Sequence, residues 1–370
     1  MSDVLVVGGG VIGLSIGWRC AQRGLDVTVV DPSPGSGATW TAAGMLAPTT
    51  ELHYGEQALL ALGLESARRY PGFVAELEDV AGAAVGYRRQ GTVVSAWDTA
   101  DLAALHDLQE FGRSLGLSTE LLTGRELRTL EPALASGLPG GLVAADDSQV
   151  DNRLLRDALL VALERAGARL VRERAVAASG GGAVLAGGDA LPAGTVVVAA
   201  GAWSGQLDGV PAEAVPVHPV KGQTLRLRLS GESPLRHVVR GVVRGSPVYL
   251  LPRAGGEIVV GASSEEAGFD VRPRAGAVYE LLRDAQALVP VLGEATFDEV
   301  STGLRPGSPD NAPLIGPTGV DGLIVATGHY RNGILLAPVT ADGVVQLITD
   351  GALPDLLAPF TPSRFEKAPA

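Results

Sequence analysis

Gly8, Gly10 and Gly13 stand in a G-x-G-x-x-G pattern, and Asp31 follows eighteen residues after the last of them. Residues of those types at that spacing suit a dinucleotide. Gly8 permits a tight turn, Gly10 lets a pyrophosphate approach the backbone, and Gly13 lets a helix pack closely on a strand. The first turn of that helix offers N–H groups that have no intrahelical partner. A carboxylate at Asp31 can accept hydrogen bonds from ribose hydroxyls.

The elements that must position these residues are present in the first thirty-one positions. Val4-Leu5-Val6-Val7 reads as a strand, a helical pattern runs on to Gly24, and Val27-Thr28-Val29-Val30 leads a second strand into Asp31. A lone Gly-rich turn is weak evidence; strand, helix, strand and acid in agreement are strong. Small residues continue through Trp40-Thr41-Ala42-Ala43-Gly44-Met45-Leu46-Ala47-Pro48, a density that places something bulky against the backbone.

At 370 residues the chain has room for two domains or one elaborated one. A net charge of −12, without a run of Lys or Arg, argues against nucleic acid and against an anionic membrane surface. No eighteen-residue stretch lacks polar breaks, so no transmembrane helix is expected. The apolar N-terminal run lacks a basic leader and is used as a strand, which argues against a signal peptide. Cys20 is the single cysteine and excludes an internal disulfide; the five histidines lack metal-ligand spacing, so no metal is expected. The expectation is a soluble cytoplasmic protein.

Further along, helical spacing covers Gln57 to Val80, with an interruption at Pro71-Gly72. Tyr87 to Trp97 reads as a strand, Asp98 opens a helix to about Leu115, and Thr123-Gly124-Arg125-Glu126 matches a capping box. Asp151 caps a helix running to about Gly167, and Ala168 to Ala178 reads as one strand. Thr195 to Gly201 is an apolar strand ending in Gly, and Gly322 to Gly328 repeats that theme. Between them, from Val215 to Gly261, alternation signals antiparallel strands, and a helix follows over about 275–288. A last helix runs to about Thr349, and the Pro-rich tail after Pro354 reads as frayed. The fold class is α/β (α+β overall): a Rossmann-like dinucleotide domain of discontinuous segments plus an antiparallel substrate domain. The expected division gives 1–50, 140–214 and 305–370 to the first, and 51–139 and 215–304 to the second.

The N-terminal fingerprint is shared by nicotinamide enzymes and flavoproteins and does not choose between them. A second Gly-ended strand running into a helix start favours a flavin, because a helix N-terminus stabilises negative charge on a reduced flavin ring.

Several stretches carry a more specific resemblance. They are Val6 to Leu14, Ala42 to Pro48, Ala199 to Ser204, Pro219 to Gln223 and Val260 to Ser263, followed by Gly303 to Asp310 and Gly328 to Pro338. In that order the chain resembles the glycine oxidases (the ThiO type of thiamine biosynthesis), within the D-amino-acid and sarcosine oxidases. The resemblance implies FAD, held non-covalently, since Cys20 in the first helix is the only cysteine. It carries cofactor contacts onto Gly8, Gly10, Ile12, Gly13, Asp31, Ala38, Thr39, Ala43, Gly44, Met45 and Val176. His329, Tyr330, Arg331, Asn332, Gly333, Ile334 and Leu335 complete that set, with Val176 meeting the adenine through its backbone.

For the substrate, a bidentate guanidinium is the best chemical match to an amino-acid carboxylate. The family motif assigns that role to Arg305. Tyr249 matches a tyrosine whose hydroxyl also reaches the carboxylate, although a core tyrosine would look the same. Arg331 either contacts substrate or pairs with a nearby acid. The resemblance implies hydride transfer from the substrate Cα–H to flavin N5, with no catalytic group required beyond the flavin. An imine leaves, to supply a thiazole or to hydrolyse to glyoxylate and ammonia, and dioxygen becomes hydrogen peroxide. Glycine, sarcosine, D-alanine and D-proline are the candidate substrates, because some relatives carry a methionine where this chain has Ser264. An FAD-dependent D-amino-acid or amine dehydrogenase with a quinone or carrier acceptor stays open, and the resemblance implies a homo-oligomer, dimer or tetramer.

Overall fold

In a computed structural model, which describes residues 1–365, the N-terminal run forms strand β1 (Ser2–Val7), helix α1 (Val11–Gln22) and strand β2 (Val27–Val30). The strands pair in parallel, Val4 opposite Val27 and Val7 opposite Val30. Apart from Asp3 every residue of the pair is buried, as a sheet covered on both faces requires. A short helix α2 (Ala38–Thr41) and strand β3 (Met45–Leu46) precede the long helix α3 (Gln57–Ala81). The interruption expected at Pro71-Gly72 does not occur. Proline removes one helical hydrogen bond, but Leu62, Tyr70, Phe73 and Leu77 are buried along the inner face and hold the helix through it.

The strand expected over Tyr87–Trp97 contracts to β4 (Thr92–Ser95), because Gly91 turns the chain just before it with a φ of +75°. Helix α4 (Thr99–Ser114) starts on Asp98, which accepts from the Ala100 and Asp101 N–H groups. Strand β5 (Glu120–Thr123) runs directly into α5 (Gly124–Leu130), where Thr123 and Glu126 complete the capping box. Strands β6 (Gly140–Ala144) and β7 (Ser148–Gln149) follow, then α6 (Asn152–Arg165), capped by Asp151. The single strand expected over Ala168–Ala178 is two: β8 (Arg169–Val171) and β9 (Ala175–Ser179). Exposed Arg172-Glu173-Arg174 between them has no place inside a sheet.

Strands β10 (Gly182–Leu185) and β11 (Ala190–Val198) lead to the alternating region. That region comprises β12 (His218–Arg228), β13 (Val238–Val243), β14 (Ser246–Pro252) and β15 (Glu257–Gly261). After α7 (Ala275–Leu288) come β16 (Thr296–Gly307), β17 (Leu314–Pro317), β18 (Leu323–Thr327) and α8 (Gly333–Asp350).

Two eight-stranded sheets organise these elements. The first has the order β17-β18-β11-β1-β2-β8, parallel from β18 to β8, with β10 attached antiparallel to β11 and β9 antiparallel to β10. Helices α1, α3, α6 and α8 bury its main core, from Trp18 and Tyr70 to Leu336. The second sheet has the order β16-β12-β15-β14-β13-β4-β6-β5, antiparallel except where β13 meets β4, with α7 packed on it. Three elements depart from the division expected from sequence, the first being β16, which the boundary at 305 cuts although it runs to Gly307 within the second sheet. Helix α3 joins the first sheet's core because its apolar face meets α8 and α6, while β6 pairs with β4 and β5 in the second sheet.

Helix α8 is apolar and long enough to cross a membrane, but in the fold it is the central core helix. The tail after Pro354 is docked rather than frayed as far as it is described. Leu357 and Phe360 are buried in the main core, and Arg364 pairs with Asp310 at 2.8 Å. The last five residues, 366–370, lie outside the described part.

Candidate active site

A cavity of about 710 Å³ opens between the two sheets, lined at one end by Gly8, Asp31 and Ser33 and at the other by Tyr249, Arg305 and Glu51. The first end is built from backbone. A Cβ on Gly8 would meet the Ala199 carbonyl oxygen at 2.4 Å, and its φ of +113° disfavours any L side chain. A Cβ on Gly13 would come within 1.9 Å of the Gly8 carbonyl oxygen, so Gly13 serves the packing of α1 on the turn. Gly10 faces open space, with only Thr39 Oγ1 at 3.5 Å from a Cβ built there. The α1 N-terminus points into this opening, and its first-turn N–H groups lack helical partners. The Asp31 carboxylate accepts from the Gly9 and Ser33 N–H groups, each at 2.7 Å, and still has lone pairs to offer the cavity.

The middle of the cavity is made by residues 38–45 and by the turn from β18 into α8. Arg253 is buried behind the first of these segments and donates to the Ala43 and Val150 carbonyl oxygens and to the Gln149 side chain, fixing Ala43-Gly44 in place. His329 is buried against Thr340, its Nε2 3.0 Å from the hydroxyl, and burial pushes its pKa down to about 3. It is a neutral ring, not a base at work near pH 7. The α8 N-terminus begins at Gly333, so a second set of unpaired N–H groups faces the cavity.

The far end is built from charge. Arg305 on β16 lies across Gly222 of the neighbouring strand, where a Cβ would come within 2.3 Å of its Nη1. Arg305 donates to the Ser263 carbonyl oxygen at 3.0 Å, and among the described residues no carboxylate pairs with it. Tyr249 lies against Gly261, its partner across β14 and β15. Burial pushes its phenol up, while the Arg305 charge pulls the other way, which puts the two groups together. Arg331 pairs with Glu51 at 3.1 Å and Glu56 at 3.1 Å. Arg240, opposite Tyr249 across β13 and β14, pairs with Glu51 at 2.7 Å. Burial raises the Glu51 carboxyl, but Arg240 and Arg331 outweigh it and hold the group below the usual carboxylate range.

The cavity gathers every residue expected from sequence except two. Gly13 lies behind the turn, and Val176 is 39% exposed on β9, with the cavity lined instead by Arg174 and Ala175 before it. The Val176 carbonyl oxygen is occupied by the Asp208 N–H. Glu51 and Arg240 escaped the sequence reading. An arginine in the run Val-Val-Arg-Gly-Val-Val was the available sign, since a charge within an apolar strand needs a partner. Ser264 lines the cavity. Cys20 is buried in α1, its thiol pushed up to about 12, and it lines no part of the cavity, so no cysteinyl link to a ligand is within reach.

A parallel sheet with this Gly-rich turn, joined to an antiparallel sheet that presents an arginine across the same cavity, is the architecture of a dinucleotide-binding protein with room for a small anionic ligand. The chain belongs to the family of FAD dependent oxidoreductases (DAO), whose family model matches residues 3–347. FAD fits the residues present: a Gly-rich backbone turn with open space beside Gly10, two helix N-termini facing the cavity, and the Asp31 carboxylate at the end that holds the turn.

A bifunctional protein ThiO/ThiG from Synechocystis sp. is 36% identical over 98% of this chain, and the chain spans 54% of that relative, about half its length. A glycine oxidase from Geobacillus kaustophilus is 34% identical over 98% of this chain and 97% of its own. The crystal structure of glycine oxidase from Geobacillus kaustophilus superposes with a TM-score of 0.90, covering 98% of both chains at 34% identity.

Proposed function

We propose that this chain oxidises the Cα–N bond of small amino acids, with glycine the first candidate and sarcosine, D-alanine and D-proline its competitors. The observation that carries the reading is Arg305: a guanidinium laid over Gly222 at the cavity's far end, with no carboxylate partner among the described residues. A substrate carboxylate is the natural counterion, bound through two parallel N–H donors and assisted by the Tyr249 hydroxyl. The likeness to glycine oxidases supports the same substrate class.

In this reading the residues at 8–12, 31, 38–45 and 329–335 hold the cofactor, and Gly13 shapes the turn from behind. Bound FAD would supply the hydride acceptor, with dioxygen as the terminal acceptor that becomes hydrogen peroxide. The protein contributes orientation. Arg305 and Tyr249 fix the carboxylate so that one Cα–H faces the cofactor-lined middle of the cavity, and the apolar walls exclude water. Neutral His329 and the α8 N-terminus add a fixed dipole there, and no acid–base group is needed for a substrate that reacts as the free amine. The imine hydrolyses to glyoxylate and ammonia or, as the likeness to ThiO/ThiG proteins supports, serves thiamine biosynthesis in the cytoplasm.

The test is anaerobic mixing of the purified yellow protein with glycine, followed by air. Bleaching near about 450 nm, then recovery with peroxide release, is expected of this oxidase. Bleaching by a different amine moves the substrate. Bleaching without recovery in air makes the chain a dehydrogenase with another acceptor, and no bleaching by any amine refutes the reading.

A further inference from the structure

Three guanidinium groups line the substrate end of the cavity, Arg240, Arg305 and Arg331, against one carboxylate, Glu51. An uncompensated set of that kind would attract a substrate with two acidic groups. The ion pairs show a different balance. Glu51 bridges Arg240 at 2.7 Å and Arg331 at 3.1 Å, and Arg331 has a second partner in Glu56 at 3.1 Å. Two guanidinium groups are thus matched by two carboxylates, and among the described residues Arg305 alone of the three carries charge to spare.

The surrounding groups leave that count intact. Partial burial and the Arg331 charge hold His53 below its usual range, toward the neutral ring. Lys221 and Glu265 answer each other at 3.6 Å, and neither lines the cavity. Asp147 sits behind the loop that carries Glu51, bonded to the Thr50 hydroxyl at 2.7 Å; the Arg240 charge reaches it, but among the described residues it makes no ion pair with Arg240 and it lines no part of the cavity.

We propose that Glu51 sets the charge class of the substrate. Together with Glu56 it cancels Arg240 and Arg331 and leaves one positive charge, so the site selects amino acids with a single carboxylate and rejects those with two. This rests on the reading of Arg305 as the carboxylate clamp. Glu51 reaches the site from the segment before α3 and Arg240 from the middle of β13, so the two elements that meet here decide what the clamp can hold. Glu51→Gln keeps the shape of the side chain and removes its charge, which leaves two arginines facing the cavity underpaired.

The test uses the FAD-loaded protein. Acetate and malonate are titrated against the flavin absorbance, and glycine is compared with iminodiacetate as substrate. In E51Q the malonate-to-acetate affinity ratio and the iminodiacetate-to-glycine ratio of kcat/KM should each rise about tenfold, the scale of one partly screened charge. E56Q should move both ratios the same way by less, since Glu56 touches only Arg331 and lies outside the cavity, and it decides the matter should E51Q fail to fold. Ratios that stay flat or fall in both variants, including equal weakening of both ligands as a purely structural role would give, overturn the proposal. A wild type that binds acetate through Arg305 while those ratios stay flat overturns this proposal alone. A wild type that neither binds acetate nor oxidises glycine overturns the clamp and this proposal with it.

Discussion

The two ends of the cavity are built on different principles. The dinucleotide end uses backbone: a turn that only glycine can make, a helix N-terminus, and Asp31, all within the first thirty-one residues. The far end, the proposed substrate end, uses side chains: the charges of Glu51, Arg240, Arg305 and Arg331 and the Tyr249 hydroxyl, gathered from five separate stretches. Backbone recognition suits a cofactor that stays, because amides and carbonyls held by a sheet do not rearrange. Charge recognition suits a small substrate that must be chosen and released, since a single altered side chain resets it.

Substitutions at the two ends should therefore fail in different ways. The largest effect is expected from Arg305→Ala, which removes the unpaired guanidinium and should lower kcat/KM for glycine by roughly 2–5 kcal/mol while FAD content stays full. Unchanged kcat/KM would remove Arg305 from the clamp, and loss of FAD would erase the contrast between the ends. Gly13→Ala should do the opposite. Its Cβ would meet a backbone oxygen that cannot move aside, at a stability cost of about 3 kcal/mol, read as a lowered thermal midpoint together with lost flavin. A fully loaded variant of wild-type stability would count against a turn defined by glycine.

Asp31→Ala should be milder. It leaves the Gly9 and Ser33 N–H groups without their acceptor and removes the ribose contact, weakening FAD retention by roughly 1–3 kcal/mol. Flavin retained through dialysis as in the wild type would limit Asp31 to closing the turn. The smallest effect belongs to Asp147, which anchors the Glu51 loop through Thr49 and Thr50. Burial raises its pKa from 3.8 to about 6. A carboxyl raised on folding favours the fold below its unfolded pKa, and that contribution is lost as pH rises through about 6. Asp147→Asn should thus gain on the wild type between pH 5 and pH 8, by about 1–2 kcal/mol, in denaturant midpoints at the two pH values. A difference independent of pH would mean that Asp147 is not the titrating anchor of this loop.

Local and distant interactions show the same contrast. The caps at Asp98, Thr123 and Asp151 are where the pattern puts them, because capping is settled within four residues. Pro71 misled because the burial of Tyr70 and Phe73 against distant helices outweighs a local helix breaker. The tail misled for the same reason: Leu357 and Phe360 find a core that only the folded chain supplies.

The sequence by itself determined the Gly-rich turn, the strand and helix around it, and the acid that closes it, since each rests on backbone conformation over a few consecutive residues. Arg305 was readable only through its motif. The tertiary structure alone decided that Arg305 lies over Gly222, that Tyr249 rests on Gly261, and that Arg240 and Arg331 share Glu51. Those contacts depend on strand register and on the meeting of two sheets, and electrostatic pairing acts across space, at distances of a few ångström between residues up to 280 positions apart.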